Sequence, residues 1–244
     1  MKSPTSRSPG GLTNAAPWQT MADAGILDPT WAFSSLDDFD KYAAGDWTIT
    51  KVGTGTVAET AYAGGAILLT NTAGATDSIY MQHPVGQHKL LVGKEHFFKF
   101  RGKLDDATNT KFQCGLINID TTPLATADGL YFYKADAQTG FVLTSMIGSV
   151  ATSVALPASC VAANGVEFEL GFHVDANGDV FAFFNPTTGP NAPAADGSVG
   201  VGYCAKLTQP GLTQVLLSNS FGLTNASAVA HTLTVDYSGG VSHR

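Results

Sequence analysis

The chain is short of charge. Asp, Glu, Lys and Arg make up 14% of its 244 residues, whereas ordinary globular proteins carry about 25%. Its basic residues number 13 against 20 acidic ones, so the formal net charge is −7. Nucleic-acid binding needs a basic surface that neutralises phosphates, and this composition argues against it. A surface with so little charge favours contacts with partners, although Thr- and Ser-rich β proteins also exist as soluble monomers.

Cysteine and long apolar runs are also scarce. The wide spacing of Cys114, Cys160 and Cys204 matches no zinc pattern and allows one disulfide at most. The first eleven residues lack the apolar run of a signal peptide. We therefore expect three buried, reduced thiols in a protein made in cytoplasm. No stretch approaches 18 consecutive apolar residues, so no membrane helix is predicted.

What the chain does contain is alternation, most clearly in residues 166–185, VEFELGFHVDANGDVFAFFN. Apolar and polar residues alternate with a period of two, which predicts a half-buried β-hairpin. Asn177-Gly178 is a strong signal for a two-residue type I′ turn, because both central residues need positive φ. The predicted pairs are Val174 with Phe181 and Phe172 with Phe183. Under that register, all four side chains face the core.

About a dozen such short strands, separated by Gly, Pro and Asn turns, run from Leu36 to Ser238. No alternation of strands with helices is present, so we predict an all-β fold, an antiparallel two-sheet sandwich. Residues predicted to face inward are Phe98, Phe100 and Leu104 on one strand, and Leu233, Val235 and Tyr237 on the last. The predicted organisation is an extended N-terminal arm, residues 1–35, followed by one sandwich domain, residues 36–244.

The arm is rich in Pro, Gly, Ser and Thr, which predicts an extended conformation. Its apolar residues argue against a purely flexible linker. The predicted partner-binding residues are Trp18, Met21, Ile26, Leu27 and Trp31. Two surfaces remain open for them: the chain's own domain or a neighbouring subunit.

The predicted outward face of the hairpin carries Glu167, Glu169, His173 and Asp175. Alternate residues on a strand lie about 6.5–7 Å apart, within reach of the carboxylate pairs of glycoside hydrolases. The glucanases that use this kind of sandwich place a Glu-x-Asp-x-Glu run on one strand, and the third carboxylate is missing here. We therefore predict no catalytic residue and no enzyme activity.

Other constellations have simple structural explanations. The turn residues Asp175, Asn177 and Asp179 have a Ca²⁺-like spacing, but the Gly and the distant Glu of an EF-hand loop are missing. Asp120 and Asp128 bracket a loop with the same weak Ca²⁺ signal. The six histidines are scattered, so we predict no metal and no cofactor. Lys99, Arg101 and Lys103 form a basic stripe that is either solvated or faces an acidic partner.

Several stretches together resemble a known group of proteins. They are DDF-x-x-Y and DW between Asp37 and Trp47, GGAILLT, GKEHFFKFRGKLDD, CGLINIDTTPLATADGLYFYKAD and the hairpin at 166–185. Residues 37–238 resemble tailed-bacteriophage structural proteins built on a concanavalin-A-like or jelly-roll sandwich. Such proteins serve as head decoration or cement proteins.

The resemblance implies a virion protein on the capsid exterior. Its partners would be the major capsid protein and other copies of itself in a homotrimer, with neither nucleic acid nor membrane. A lectin-like carbohydrate-binding module of the same fold is the alternative, with Tyr131, Tyr133 and the loop at Asn185 as glycan-binding candidates. A third hypothesis is a glycan hydrolase that uses Glu167 and Glu169.

Overall fold

A computed structural model describes residues 32–62, 64–184 and 203–243. The predicted partner-binding residues lie outside them: Trp18, Met21, Ile26, Leu27 and Trp31. The glycan candidate Asn185 also lies outside the described residues. The roles of these six residues therefore stay predictions.

The described part of the chain is built almost entirely of strands. They are β1 Ala32–Asp37, β2 Thr48–Val52, β3 Thr56–Glu59, β4 Ile67–Thr70, β5 Ser78–Gln82, β6 His96–Leu104, β7 Thr110–Ile117, β8 Gly129–Lys134, β9 Val142–Ile147, β10 Val150–Ala155, β11 Glu167–Val174, β12 Val180–Phe184, β13 Ala205–Leu207, β14 Ser218–Asn225 and β15 Thr232–His243. Two short 3₁₀ turns, Ala44–Asp46 and Pro123–Ala125, accompany them. No helix in these residues is both long and apolar enough to cross a membrane.

The strands form two antiparallel sheets. Sheet I has the order β13-β12-β11-β6-β15-β4-β3, and β1 also pairs with β15. Sheet II has the order β10-β9-β8-β7-β14-β5-β2. This arrangement confirms the predicted two-sheet sandwich. Strand β1 begins at Ala32, so the last residues assigned to the arm are a strand of sheet I.

Phenylalanine rings fill the space between the sheets. Phe98, Phe100 and Leu104 of β6 are fully buried, which confirms the predicted alternation of that strand. Phe98 stacks on Phe172 of β11 with ring centroids 5.1 Å apart. Each fully buried Phe contributes roughly 1.5–3 kcal/mol, so a set of such rings supplies much of the driving force for folding.

The hairpin of β11 and β12 is present, but its predicted register is wrong by one residue. The observed pairs are Val174 with Val180, His173 with Phe181, Phe172 with Ala182, Gly171 with Phe183, and Leu170 with Phe184. The inward residues of β12 are therefore Val180, Ala182 and Phe184. Phe181 and Phe183 lie on the outward face, where Phe181 stacks on His173.

The cause of this shift is the turn. The N–H of Asp175 bonds to the carbonyl of Asp179, and Gly178 takes a positive φ of 84°. The Asp175 carboxylate accepts the N–H groups of Asn177 and Asp179, both at 2.9 Å. Asp side chains commonly stabilise turns in this way, so a wider loop replaces the predicted two-residue turn.

A β-bulge corrects a second prediction. The register of β15 against β6 shifts between Val235 and Tyr237, with the extra residue at Asp236. Leu233 and Val235 face the core as predicted, but Tyr237 pairs with Arg101 on the outward face. A bulge adds one residue to a strand and so reverses the alternation beyond it.

Candidate functional site

The acidic residues of the hairpin are engaged by the basic stripe on the neighbouring strand. Glu167 Oε2 lies 2.6 Å from Arg101 Nη2, and Glu169 Oε1 lies 2.9 Å from Lys99 Nζ. Arg101 also lies 3.4 Å from Asp236. Opposite charges on the outward face of sheet I therefore pair with each other. This pairing accounts for the acidic hairpin face and for the basic stripe that the sequence predicted.

Burial keeps the side chains of His88 and His96 uncharged. His88 is fully buried, and its ring bridges the hydroxyls of Ser35 at 2.7 Å and Ser242 at 2.8 Å. Burial lowers the pKa of His88 to about 3, and that of His96 to about 4. Both rings are therefore neutral near pH 7, because a buried imidazolium would lose its hydration.

The two loops with a Ca²⁺-like spacing use their carboxylates internally. Asp175 holds the hairpin turn, and Asp179 pairs with Lys206 at 2.7 Å. Asp128 accepts hydrogen bonds from Thr213 at 2.7 Å and from the N–H of Gly148 at 3.2 Å. Within the three described ranges, no group of three or more His, Cys, Asp or Glu side chains is placed to hold a metal ion.

The outward face of sheet II is different in character. Pairing across the sheet aligns its outward residues in several rows, of which two lie side by side at the centre, and the row beyond Tyr80 and Gln113 ends in Lys111. One row is Thr50, Tyr80, Gly222, Gln113, Tyr133 and Val142. The other is Thr48, Gln82, Ser220, Gly115, Tyr131, Thr144 and Ser153. Neither row contains a charged residue. We call the surface formed by Tyr80, Gln82, Gln113, Tyr131, Tyr133 and Ser220 the tyrosine face.

Glycines let the tyrosine rings lie close to the sheet. A methyl group at Gly222 would lie 2.4 Å from a ring carbon of Tyr80, and one at Gly115 would lie 2.6 Å from Cβ of Tyr131. A strand glycine often marks a position where another group approaches the backbone closely. Because Gly222 has no side chain, the Tyr80 ring of β5 can lie over strand β14, which separates it from Gln113 on β7.

Gln113 lies in the row between Gly222 and Tyr133 and is 1% exposed. Neither its Nε2 nor its Oε1 has a hydrogen-bond partner. Gln82, at a comparable outward position, is also buried but donates to Ser220 Oγ at 3.2 Å and to the Asn118 carbonyl at 3.3 Å. An unpaired buried amide costs about 1–3 kcal/mol, so the state of Gln113 needs an explanation.

The tyrosines on this face are neutral hydrogen-bonding groups at physiological pH. Burial raises the pKa of Tyr131, Tyr133 and Tyr80 above the ordinary value. For Tyr80, a hydrogen bond with Thr224 opposes this effect and the nearby Tyr133 adds to it. Each phenol therefore keeps its proton and serves as both donor and acceptor.

The structure brings the predicted glycan candidates Tyr131 and Tyr133 onto this face as alternate residues of β8. Sequence reasoning missed Tyr80 and Gln113, which complete it. The alternation of β5 and β7 assigns each of them to an outward position. Their proximity to the other tyrosines depends on the strand order β8-β7-β14-β5.

Comparison with known proteins identifies the fold. No family model and no curated protein matches the chain. Several solved structures match it. One is an endo-1,3-beta-glucanase from Streptomyces sioyaensis, with a TM-score of 0.56 and 13% sequence identity. The match covers 88% of this chain and 97% of the glucanase chain. The potassium-bound carbohydrate recognition domain of Emp46p has a TM-score of 0.51 and 12% identity, covering 80% and 88%.

A carbohydrate esterase from the Shiga toxin-encoding bacteriophage phi24B has a TM-score of 0.50 and 16% identity, covering 87% of this chain and 97% of that chain. At such identities the likeness shows the fold alone. The protein is a concanavalin-A-like, lectin-like β-sandwich, as predicted.

Proposed function

We propose that the protein is a carbohydrate-binding module and that the tyrosine face is its binding surface. The observation that carries the proposal is Tyr133, whose half-buried ring and hydroxyl are the accessible part of an uncharged face on which Tyr80, Gln82, Gln113 and Tyr131 are buried. Sugar hydroxyls both accept and donate hydrogen bonds, so a glycan can bond to the Tyr133 hydroxyl while it stacks on the ring. The lectin-like fold supports the same function.

The binding mode follows from the chemistry of the face. Tyr133 is half-buried, so part of its ring is available for an apolar sugar face, with its hydroxyl as a polar tip. Tyr131 and Gln82 border the same site on the adjacent row. Neither row carries a charge, so the surface suits uncharged sugar units, and affinity comes from stacking and neutral hydrogen bonds.

A glycan array with the full chain tests the proposal, followed by titration of the best ligand. Tyr133→Ala should weaken binding roughly tenfold, because loss of the ring removes both stacking and buried area. Tyr62→Ala is the matched control, since Tyr62 is half-buried near the outward face of sheet I. Equal affinities for the wild type and Tyr133→Ala would refute the assignment of this face.

The proposal is binding without turnover. Glu167 and Glu169, the residues of the hydrolase hypothesis, are held in ion pairs by Arg101 and Lys99. Incubation with polysaccharides that bind on the array should release no product. If product appears and Glu169→Gln abolishes it, the hydrolase hypothesis replaces the module.

A second proposal places this module on a virion, as a capsid decoration or cement subunit. The low charge content and the fold likeness to a phage protein support it. The subunit would bind the major capsid protein and other copies of itself on the capsid exterior, as a homotrimer. Deletion of residues 1–30 should then abolish cosedimentation with purified heads while the remaining domain keeps its β circular dichroism. Unchanged cosedimentation would argue against the predicted role of the arm.

A further inference from the structure

Strand β1 has one unpaired edge. It pairs with β15 over all six residues, from Ala32 opposite His243 to Asp37 opposite Ser238. Among the described residues, its other edge makes no backbone hydrogen bond. An exposed edge is a template for another extended chain, because its N–H and C=O groups lack partners.

A cleft of about 660 Å³ runs along this strand. Five consecutive residues, 33–37, line one side, and Trp47, His83 and Gln87 line the other. Asn219 of β14 also lines it, so the cleft lies between the sheets. Its volume is within the range of about 300–1,000 Å³ typical of ligand sites.

Polar side chains line this space. Asn219 is 2% exposed, and its Oδ1 accepts the Ser238 hydroxyl at 2.7 Å. Gln87 Nε2 lies 3.3 Å from His83 Nε2. The cleft therefore has polar walls beside the free edge of β1.

An extended peptide matches these features better than a sugar does. Its N–H and C=O groups on one edge recur at every second residue, about 6.4–6.8 Å apart, and the free groups on the outer edge of β1 have the same repeat. The aromatic ring of Phe33 and the indole of Trp47 provide apolar walls for alternate side chains.

The charge of the residues that line the cleft indicates which kind of partner segment it binds. Asp37 and Asp46 line the cleft, and no Lys or Arg does. We infer that this cleft is a docking site for an extended, basic segment of a partner protein, which adds as a strand to the free edge of β1. The inference does not depend on the proposed glycan function, since the cleft and the tyrosine face share no residue.

The test uses the full chain and a defined probe, the capped peptide (Lys-Val)₄ with a fluorescent label. Binding is measured by anisotropy, and hydrogen–deuterium exchange follows the amides of residues 33–37. We expect the amides that point to the free edge, which belong to every second residue of β1, to exchange at least about tenfold more slowly with peptide, because strand addition pairs these N–H groups. The amides between them already face β15 and should change less. Amides of β10, an edge strand of sheet II, are the internal control and should not change.

Matched variants and peptides separate strand addition from simple charge attraction. Asp46→Lys should weaken binding about two- to fivefold, the range of an exposed ion pair. Val150→Lys is the control, because Val150 is 72% exposed on β10. A (Lys-Val)₄ peptide N-methylated at alternate residues should not bind.

Three outcomes would overturn the inference. One is equal affinity for (Glu-Val)₄, and another is binding without slower exchange in β1. The third is a concentration-dependent dimer whose β1 amides are protected without peptide, since a second copy would then be the occupant. The inference is supported if (Lys-Val)₄ slows amide exchange in β1 and (Glu-Val)₄ does not.

Discussion

The unpaired amide of Gln113 predicts that a single substitution will increase the stability of the fold. Gln113→Leu replaces the amide with an apolar side chain of similar length. The folded protein then no longer carries an unpaired buried amide, which costs about 1–3 kcal/mol. Leu also loses less rotamer entropy on burial than Gln, by roughly 1 kcal/mol.

The two effects act in the same direction, so we expect the free energy of unfolding to rise by about 1–3 kcal/mol. For a domain of this size, each kcal/mol corresponds to about 2–4 °C in Tm. Urea denaturation followed by Trp fluorescence, together with a thermal scan, measures the change. Glycan titration under the same conditions should show an affinity within about twofold of the wild type, because the enclosed amide does not contact the ligand.

Gln82→Leu is the matched control. Its side chain is equally buried on the same face, but its amide bonds to Ser220 and Asn118 and accepts the N–H of Asp120. Replacing it leaves those partners unpaired and should lower stability by about 1–3 kcal/mol. The reasoning fails if Gln113→Leu destabilises the fold as much as Gln82→Leu does, because the Gln113 amide would then have a partner in the native protein.

Two further predictions concern the fold. Burial lowers the pKa of His88 to about 3 and of His96 to about 4, from an ordinary value of 6.5, so the unfolded chain binds more protons between these values. The stability that these two histidines contribute should be fully present above pH 6.5 and fall by roughly 3 kcal/mol per histidine by pH 4, measured by urea denaturation at several pH values; an unchanged slope in His88→Gln would contradict this. Gly222→Ala should destabilise by about 1–3 kcal/mol, since the added methyl meets the Ile79 carbonyl and the Tyr80 ring at 2.4 Å. Gly140→Ala has open space around it and should stay within about 0.5 kcal/mol of the wild type; equal losses would exclude a steric cause.

Local alternation was enough to predict the strands and the sandwich. In β6 the predicted inward residues Phe98, Phe100 and Leu104 face the core and the basic residues between them face outward, because side chains of a strand alternate strictly and the strand has no bulge against β11. The existence of the β11–β12 hairpin follows in the same way. These predictions depend only on residues that are neighbours in the sequence.

The wrong predictions depend on side-chain hydrogen bonds and on irregular backbone. The Asp175 carboxylate stabilises a wider loop than the turn predicted from Asn177-Gly178. The β11–β12 register therefore shifts by one residue. The bulge before Tyr237 reverses the alternation of β15 in mid-strand. No period-two pattern reveals either event, because each is decided by a few local bonds.

The tyrosine face was only half predicted for a different reason. Tyr131 and Tyr133 are alternate residues of one strand, so the sequence places them together. Gln113 joins them through the pairing of β7 with β8, whereas Tyr80 joins only through the pairing of β14 with both β5 and β7. That pairing is non-local, since β14 lies more than 100 residues after Gln113 in the chain.

The two proposed sites occupy different places in the sandwich, so their functions should be separable. The tyrosine face points away from the core side of sheet II, whereas the cleft opens between the sheets beside β1. Effects at sites with no shared partners usually add within about 0.5 kcal/mol. Tyr133→Ala should therefore leave (Lys-Val)₄ affinity within about twofold of the wild type, and Asp46→Lys should do the same for glycan affinity. If either variant impairs both ligands, the two sites are coupled, and a single shared surface would explain the binding better than two.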